Sequence, residues 1–110
     1  MTVQEVFDLR RAGKVDEAYE AIIPMYRVHH GKYTTLAMFW CAVDKMNLLL
    51  TRVTSADDES LAALDEAERI YKSLERLYPN LNDEQGACKQ VLNGLSIALR
   101  DTRLRTLPEE

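Results

Sequence analysis

Two cysteines, Cys41 and Cys88, and one adjacent histidine pair, His29-His30, carry the nucleophilic and metal-binding chemistry of this 110-residue sequence. A zinc site needs Cys or His pairs at short fixed spacings, and the sequence holds neither C-x-x-C nor H-x-x-x-H. On a helix Cys41 projects near Lys45, whose charge would lower the thiol pKa. A nucleophile also needs a base and partial exposure, so an inert thiol is the expectation. Asp16-Glu17 and Asp65-Glu66 are paired carboxylates, but each pair falls near a helix start, where the helix dipole accounts for acids. The sequence shows no Gly-rich phosphate loop, no G-x-S-x-G and no H-E-x-x-H. The expectation is a chain that is not an enzyme and holds no metal or cofactor.

Charge points the same way. Fourteen Lys and Arg meet eighteen Asp and Glu, for a net −4. A mildly acidic chain is a poor generic nucleic-acid binder, because phosphate binding draws on clustered cations. The first 55 residues sum to +1 and the rest to −5 (seven cations against six acids, then seven against twelve). No apolar stretch approaches the roughly 20 residues needed to cross a bilayer. The opening MTVQEVFDLRR is amphipathic and charge-balanced, without an apolar signal core. With two thiols 47 residues apart that are expected to stay free, the expected location is cytoplasmic.

The elements that position these residues all read as helices. Hydrophobic residues recur at helical spacing, and no run alternates at period two. Five antiparallel helices in a single domain are expected. The first runs over Val3 to Ala12, with a Thr2–Glu5 capping box and Gly13 as its stop. The second runs from Val15 or Asp16 to His29 or His30, with a kink at Pro24 and Gly31 as its stop. The third, from about Thr35 to Arg52, carries an apolar arc of about 200°, which makes it the central helix. The fourth runs from about Glu59 to Leu77 or Tyr78, capped by Ser55 or Asp58 and ended by Pro79. The fifth starts after Asn82 or Asp83 and continues to about Leu104. Gly94 inside it suggests a close backbone approach or simple tolerance. Ile97 and Leu104 lie opposite its buried stripe, as a docking edge for a second copy or as two stray surface residues.

The sequence also repeats itself. Val15-Asp16-Glu17-Ala18 and Leu64-Asp65-Glu66-Ala67 each open a helix with an apolar residue and then Asp-Glu-Ala. Tyr71, Leu74 and Pro79 follow Ala67 at offsets of 4, 7 and 12. Small Ala18 and Ala67 would let paired helices approach closely.

This pattern resembles the tetratricopeptide repeat. Gly13, Val15 and Ala18 match the middle of that motif, and Ala67, Tyr71, Leu74 and Pro79 match its end. The likeness covers about residues 3–82, as helix pairs over 3–30 and 35–78, with a capping helix over about 83–105. The two Asp-Glu-Ala steps lie 49 residues apart instead of the 34 of a regular array. His30 stands where the first repeat would have its closing Pro. The resemblance implies a right-handed array of helical hairpins and a non-catalytic protein- or peptide-binding role. The groove would be lined by the first helix of each pair. Arg10, Arg11, Lys45, Arg52, Lys89, Arg100, Arg103 and Arg105 fall on those helices, against Glu5, Asp8, Asp44, Asp83, Glu84 and Asp101. An acidic peptide is the partner this implies, with Arg10, Lys45 and Arg52 as contacts. Phe7 falls where the family's chaperone-tail clamp would place an Asn, so that activity is not expected. The alternative is a structural bundle that dimerises through Ile97 and Leu104 of the last helix.

Overall fold

The computed structural model describes residues 2–81 and 86–106, and every regular element among them is helical. The elements are α1 (Val3–Arg11), α2 (Val15–Val28), α3 (Lys32–Thr51), α4 (Asp58–Leu77), a short 3-10 turn (Tyr78–Asn80) and α5 (Ala87–Arg105). The expected all-α class and the five helices are present.

Local chemistry explains most of the boundaries. Thr2 Oγ1 accepts from the Glu5 amide at 3.2 Å while the Glu5 carboxylate accepts from the Thr2 amide, which completes the capping box. Gly13, at φ +78°, takes the left-handed position after α1. Its amide donates to Arg10 and that of Lys14 to Leu9, which satisfies two of the last carbonyls of α1. The 3-10 turn that holds Pro79 ends α4.

Three boundaries differ from expectation. The second helix runs through Pro24 but stops at Val28, because His29 turns extended at φ −142°. Gly31 therefore does not end that helix; it is the N-cap of α3, and its carbonyl accepts from the Thr35 amide at 2.9 Å. That bond starts α3 at Lys32, ahead of Thr35, and buries both Thr34 and Thr35. The cap of α4 is Asp57 instead of Ser55 or Asp58. Its carboxylate accepts from the Ser60 amide and from the Ser55 hydroxyl, both at 2.8 Å. The expected start of the fifth helix at Asn82 or Asp83 lies outside the described residues; as described, α5 begins at Ala87 after Gly86 at φ +72°.

Helix α3 is central, packing on α1, α2, α4 and α5. Neighbours in sequence are antiparallel: Lys45 meets Asp16 across α3 and α2, and Arg103 meets Asp65 and Glu68 across α5 and α4. The α1 and α3 helices run parallel, since Arg10 meets Asp44 while Val3 and Thr34 share the opposite end. Helices α2 and α4 each pack on α3 and scarcely touch each other. Both border one apolar cleft with α3 as its floor, lined by Tyr26, Met38, Ala42 and Leu74. Odd and even helices thus form two layers in an elongated molecule of 49 × 27 × 22 Å.

Two apolar clusters share α3. Val6, Ala18, Ile22, Ala37 and Cys41 join the first three helices. Phe39, Ala42, Met46, Leu64, Ala67, Leu74, Leu92 and Leu95 join the last three. Ala18 and Ala67 are both fully buried at helix contacts, as their small size predicts. A side chain built on Gly94 would meet nothing within 4 Å, so no close approach explains that glycine.

Candidate interaction surface

The structure separates the cations expected to line one groove. Arg10 lies on the α1–α3 seam, where its guanidinium donates twice to Asp44, at 2.5 and 3.3 Å. The same guanidinium sits 5.2 Å from the centre of the Trp40 ring. Lys45 and Arg52 lie on the other flank of α3 and converge on Asp16 at the start of α2. The Lys45 ammonium is 2.5 Å from Asp16 Oδ1, and its side chain is only 14 % exposed. Its stem is packed against protein and its charge is already met.

Lys45 does not act on Cys41 as its helical spacing suggests. Lys45 turns towards Asp16, where its ammonium bonds the carboxylate. Burial, and then the Asp44 carboxylate, push Cys41 up to about 11, against a smaller opposing pull from Arg10. A buried thiol at that pKa is a poor nucleophile at neutral pH. Cys88 is buried as well. His30 stacks on Tyr26, with ring centres 4.3 Å apart. Among the described residues no three His, Cys, Asp or Glu side chains gather as a metal site would need. No helix among them is long and apolar enough to cross a membrane. Asp83 and Glu84 lie outside the described residues.

What α1 and α3 do present is an open hollow of about 500 Å³, lined by Arg10, Arg11, Val15, Asp44, Asn47, Leu48 and Thr51. Arg11 is exposed at its rim and, among the described residues, paired only with Asp8 on its own helix, at 2.6 Å. Tyr33, Trp40, Asp44, Asn47 and Thr51 follow one another along one side of α3 at helical spacing. Tyr33 is exposed at one end of this stripe, Asn47 and Thr51 are exposed at the other, and Trp40 is half-buried between them. Sequence reasoning missed Tyr33, Asn47 and Thr51 because it followed charge. The polar side of the α3 wheel, read for spacing, carries the signal.

The remaining two expected contacts, Ile97 and Leu104, are exposed on the outer side of α5, at 53 % and 60 %.

Comparison with known proteins gives no matching family model, no matching curated protein and no matching solved structure.

Proposed function

We propose that this chain is a non-catalytic module that holds a protein segment against the α1–α3 face, in the manner of a divergent tetratricopeptide-like array. One observation carries the reading. The odd-numbered helices form one layer, and α3 displays there a stripe of aromatic and polar groups, with Asp44 already paired to Arg10, beside an open hollow. Aromatic rings and amide side chains offer apolar contact area together with hydrogen bonds, which suits an extended peptide. The pairing of helices, the buried Ala18 and Ala67 and the turn at Pro79 support the family likeness. Arg11 favours an acidic residue in the partner, since its present tie to Asp8 is an exposed pair of little strength. A cytoplasmic location and the absence of catalysis belong to the same reading.

The test is affinity capture from a native lysate with mass spectrometry, using wild type and Tyr33→Ser/Asn47→Glu. Both side chains are exposed, so the melting temperature should hardly move. A partner retained by wild type and lost by the variant is the expected result. Recovery of the same proteins in equal amount by both would overturn the α1–α3 assignment. Lys45→Glu is not a fair probe, because it would set a carboxylate against Asp16 and disturb the fold itself.

A second reading rests on Ile97 and Leu104, which one exposed face of α5 presents seven residues apart. A second copy could cover them.

A further inference from the structure

Helices α2 and α4 both pack on α3 and scarcely touch each other, which leaves a cleft of about 200 Å³ between them. All three helices are described along their whole lengths. The cleft reaches the core. Buried Ala42, Leu74 and Leu77 close it, and half-buried Met38 adds a flexible thioether chain to its floor. Met38 packs against both apolar clusters, so this floor lies where the two parts of the core meet.

Two hydrogen-bond donors stand on opposite walls of the apolar floor, Arg76 on α4 and Tyr26 on α2. Neither makes a hydrogen bond or ion pair through its side chain to another described residue. The Tyr26 ring stacks on His30 with 17° between the planes, which fixes its orientation and leaves its hydroxyl unused. Arg76 is exposed in the last turn of α4, where its charge suits the helix dipole. The dipole occupies none of its five N–H donors. The lining of the cleft holds no carboxylate to take them. A guanidinium beside a low-dielectric cleft attracts an anion more strongly than one in open water.

Size narrows the occupant further. A cavity of about 150 Å³ admits benzene, or about 25 Å³ per carbon. The cleft therefore has room for about eight carbons. Pockets for drug-sized molecules begin at about 300 Å³. One turn of a helix about 10 Å across fills about 400 Å³, so a docked helix is too large to enter.

From this geometry we propose that the α2–α4 cleft binds a small apolar carboxylate, the anion of a fatty acid of about eight carbons. Its carboxylate accepts from the Arg76 guanidinium and the Tyr26 hydroxyl, and its chain lies on Met38, Ala42 and Leu74. The cleft shares no residue with the α1–α3 hollow, so neither proposal depends on the other.

Titrations with butanoate, hexanoate, octanoate, decanoate and octanol, followed by backbone amide chemical shifts, test this directly. Saturable shifts centred on Met38, Ala42, Ser73 and Arg76 are expected with octanoate. Affinity should rise about fourfold per added methylene as far as octanoate and then level off, because the cleft is full. Octanol, which lacks the charge, should bind about tenfold more weakly than octanoate. Arg76→Gln should weaken octanoate about tenfold and leave octanol unchanged, and Tyr26→Phe should weaken octanoate several-fold. Arg76 is exposed and Tyr26→Phe keeps the stacked ring, so both variants should melt with wild type. Absence of saturation at millimolar octanoate overturns the proposal. So does octanol bound as tightly as octanoate, an affinity still rising at decanoate, or an octanoate affinity that either variant leaves unchanged.

Discussion

Asp16 joins two cations from another helix, and its behaviour with pH follows from that position. The hydrogen bond from Lys45 holds its carboxyl below the usual 3.8; burial opposes it, and the charges of Lys45 and Arg52 add smaller pulls downward. A carboxylate with a depressed folded-state pKa stabilises the fold above its unfolded value, and that contribution is lost as pH falls through the folded value. The side chain is nearly half exposed, so solvent screening keeps the effect modest. Asp16→Asn should melt a few degrees below wild type at pH 7, and the gap should narrow as pH falls below 3.8. A gap that stayed constant down to that range would mean that the ion pairs contribute nothing. The same residue shows a limit of reading charge along a sequence. Lys45 and Arg52 are surface cations on a helical wheel, and only the fold reveals that α2 brings them an acid.

At the scale of elements, two glycines separate backbone preference from packing. Gly13 and Gly94 both have open space where a Cβ would go, but only Gly13 has a positive φ. Gly13→Ala should therefore cost about 1 kcal/mol, the strain of a left-handed residue with a side chain. Gly94→Ala should stabilise by about 0.5–1 kcal/mol, because it removes glycine from a helix interior. Thermal melts should move in opposite directions by several degrees; a fall in both would mean that α5 packs more tightly around residue 94 than its open surroundings imply. Helix boundaries were legible in the sequence where one residue type has a single use. The Thr2–Glu5 box, Gly13 and Pro79 are of that kind. They were illegible where several residues compete or one residue can serve either end. Gly31 suits a helix stop as well as a cap, and the polar run from Thr54 to Glu59 offers more than one capping side chain, from which Ser60 and its neighbours select Asp57. The candidate face on α3 was half legible. Helical spacing places Trp40, Asp44, Asn47 and Thr51 together, but burial decides which of the apolar arc stays open.

For the whole molecule, the question is whether the layers end in solvent or in a second copy. A stable protein interface covers about 800 Å² on each partner. Ile97 and Leu104 are only two partly exposed side chains, and Arg100 and Asp101 stand between them on α5. Two such residues can supply no more than a fraction of that area, so pairing through α5 alone should be weak. Light scattering at tens of micromolar should therefore return the monomer mass for wild type, and Ile97→Asp/Leu104→Asp should scatter identically. A wild-type dimer that the double variant dissolves would reverse the order of the two functional readings. It would also show that α5 meets its partner over more surface than its two exposed apolar residues, because those alone cannot hold two chains together at that concentration.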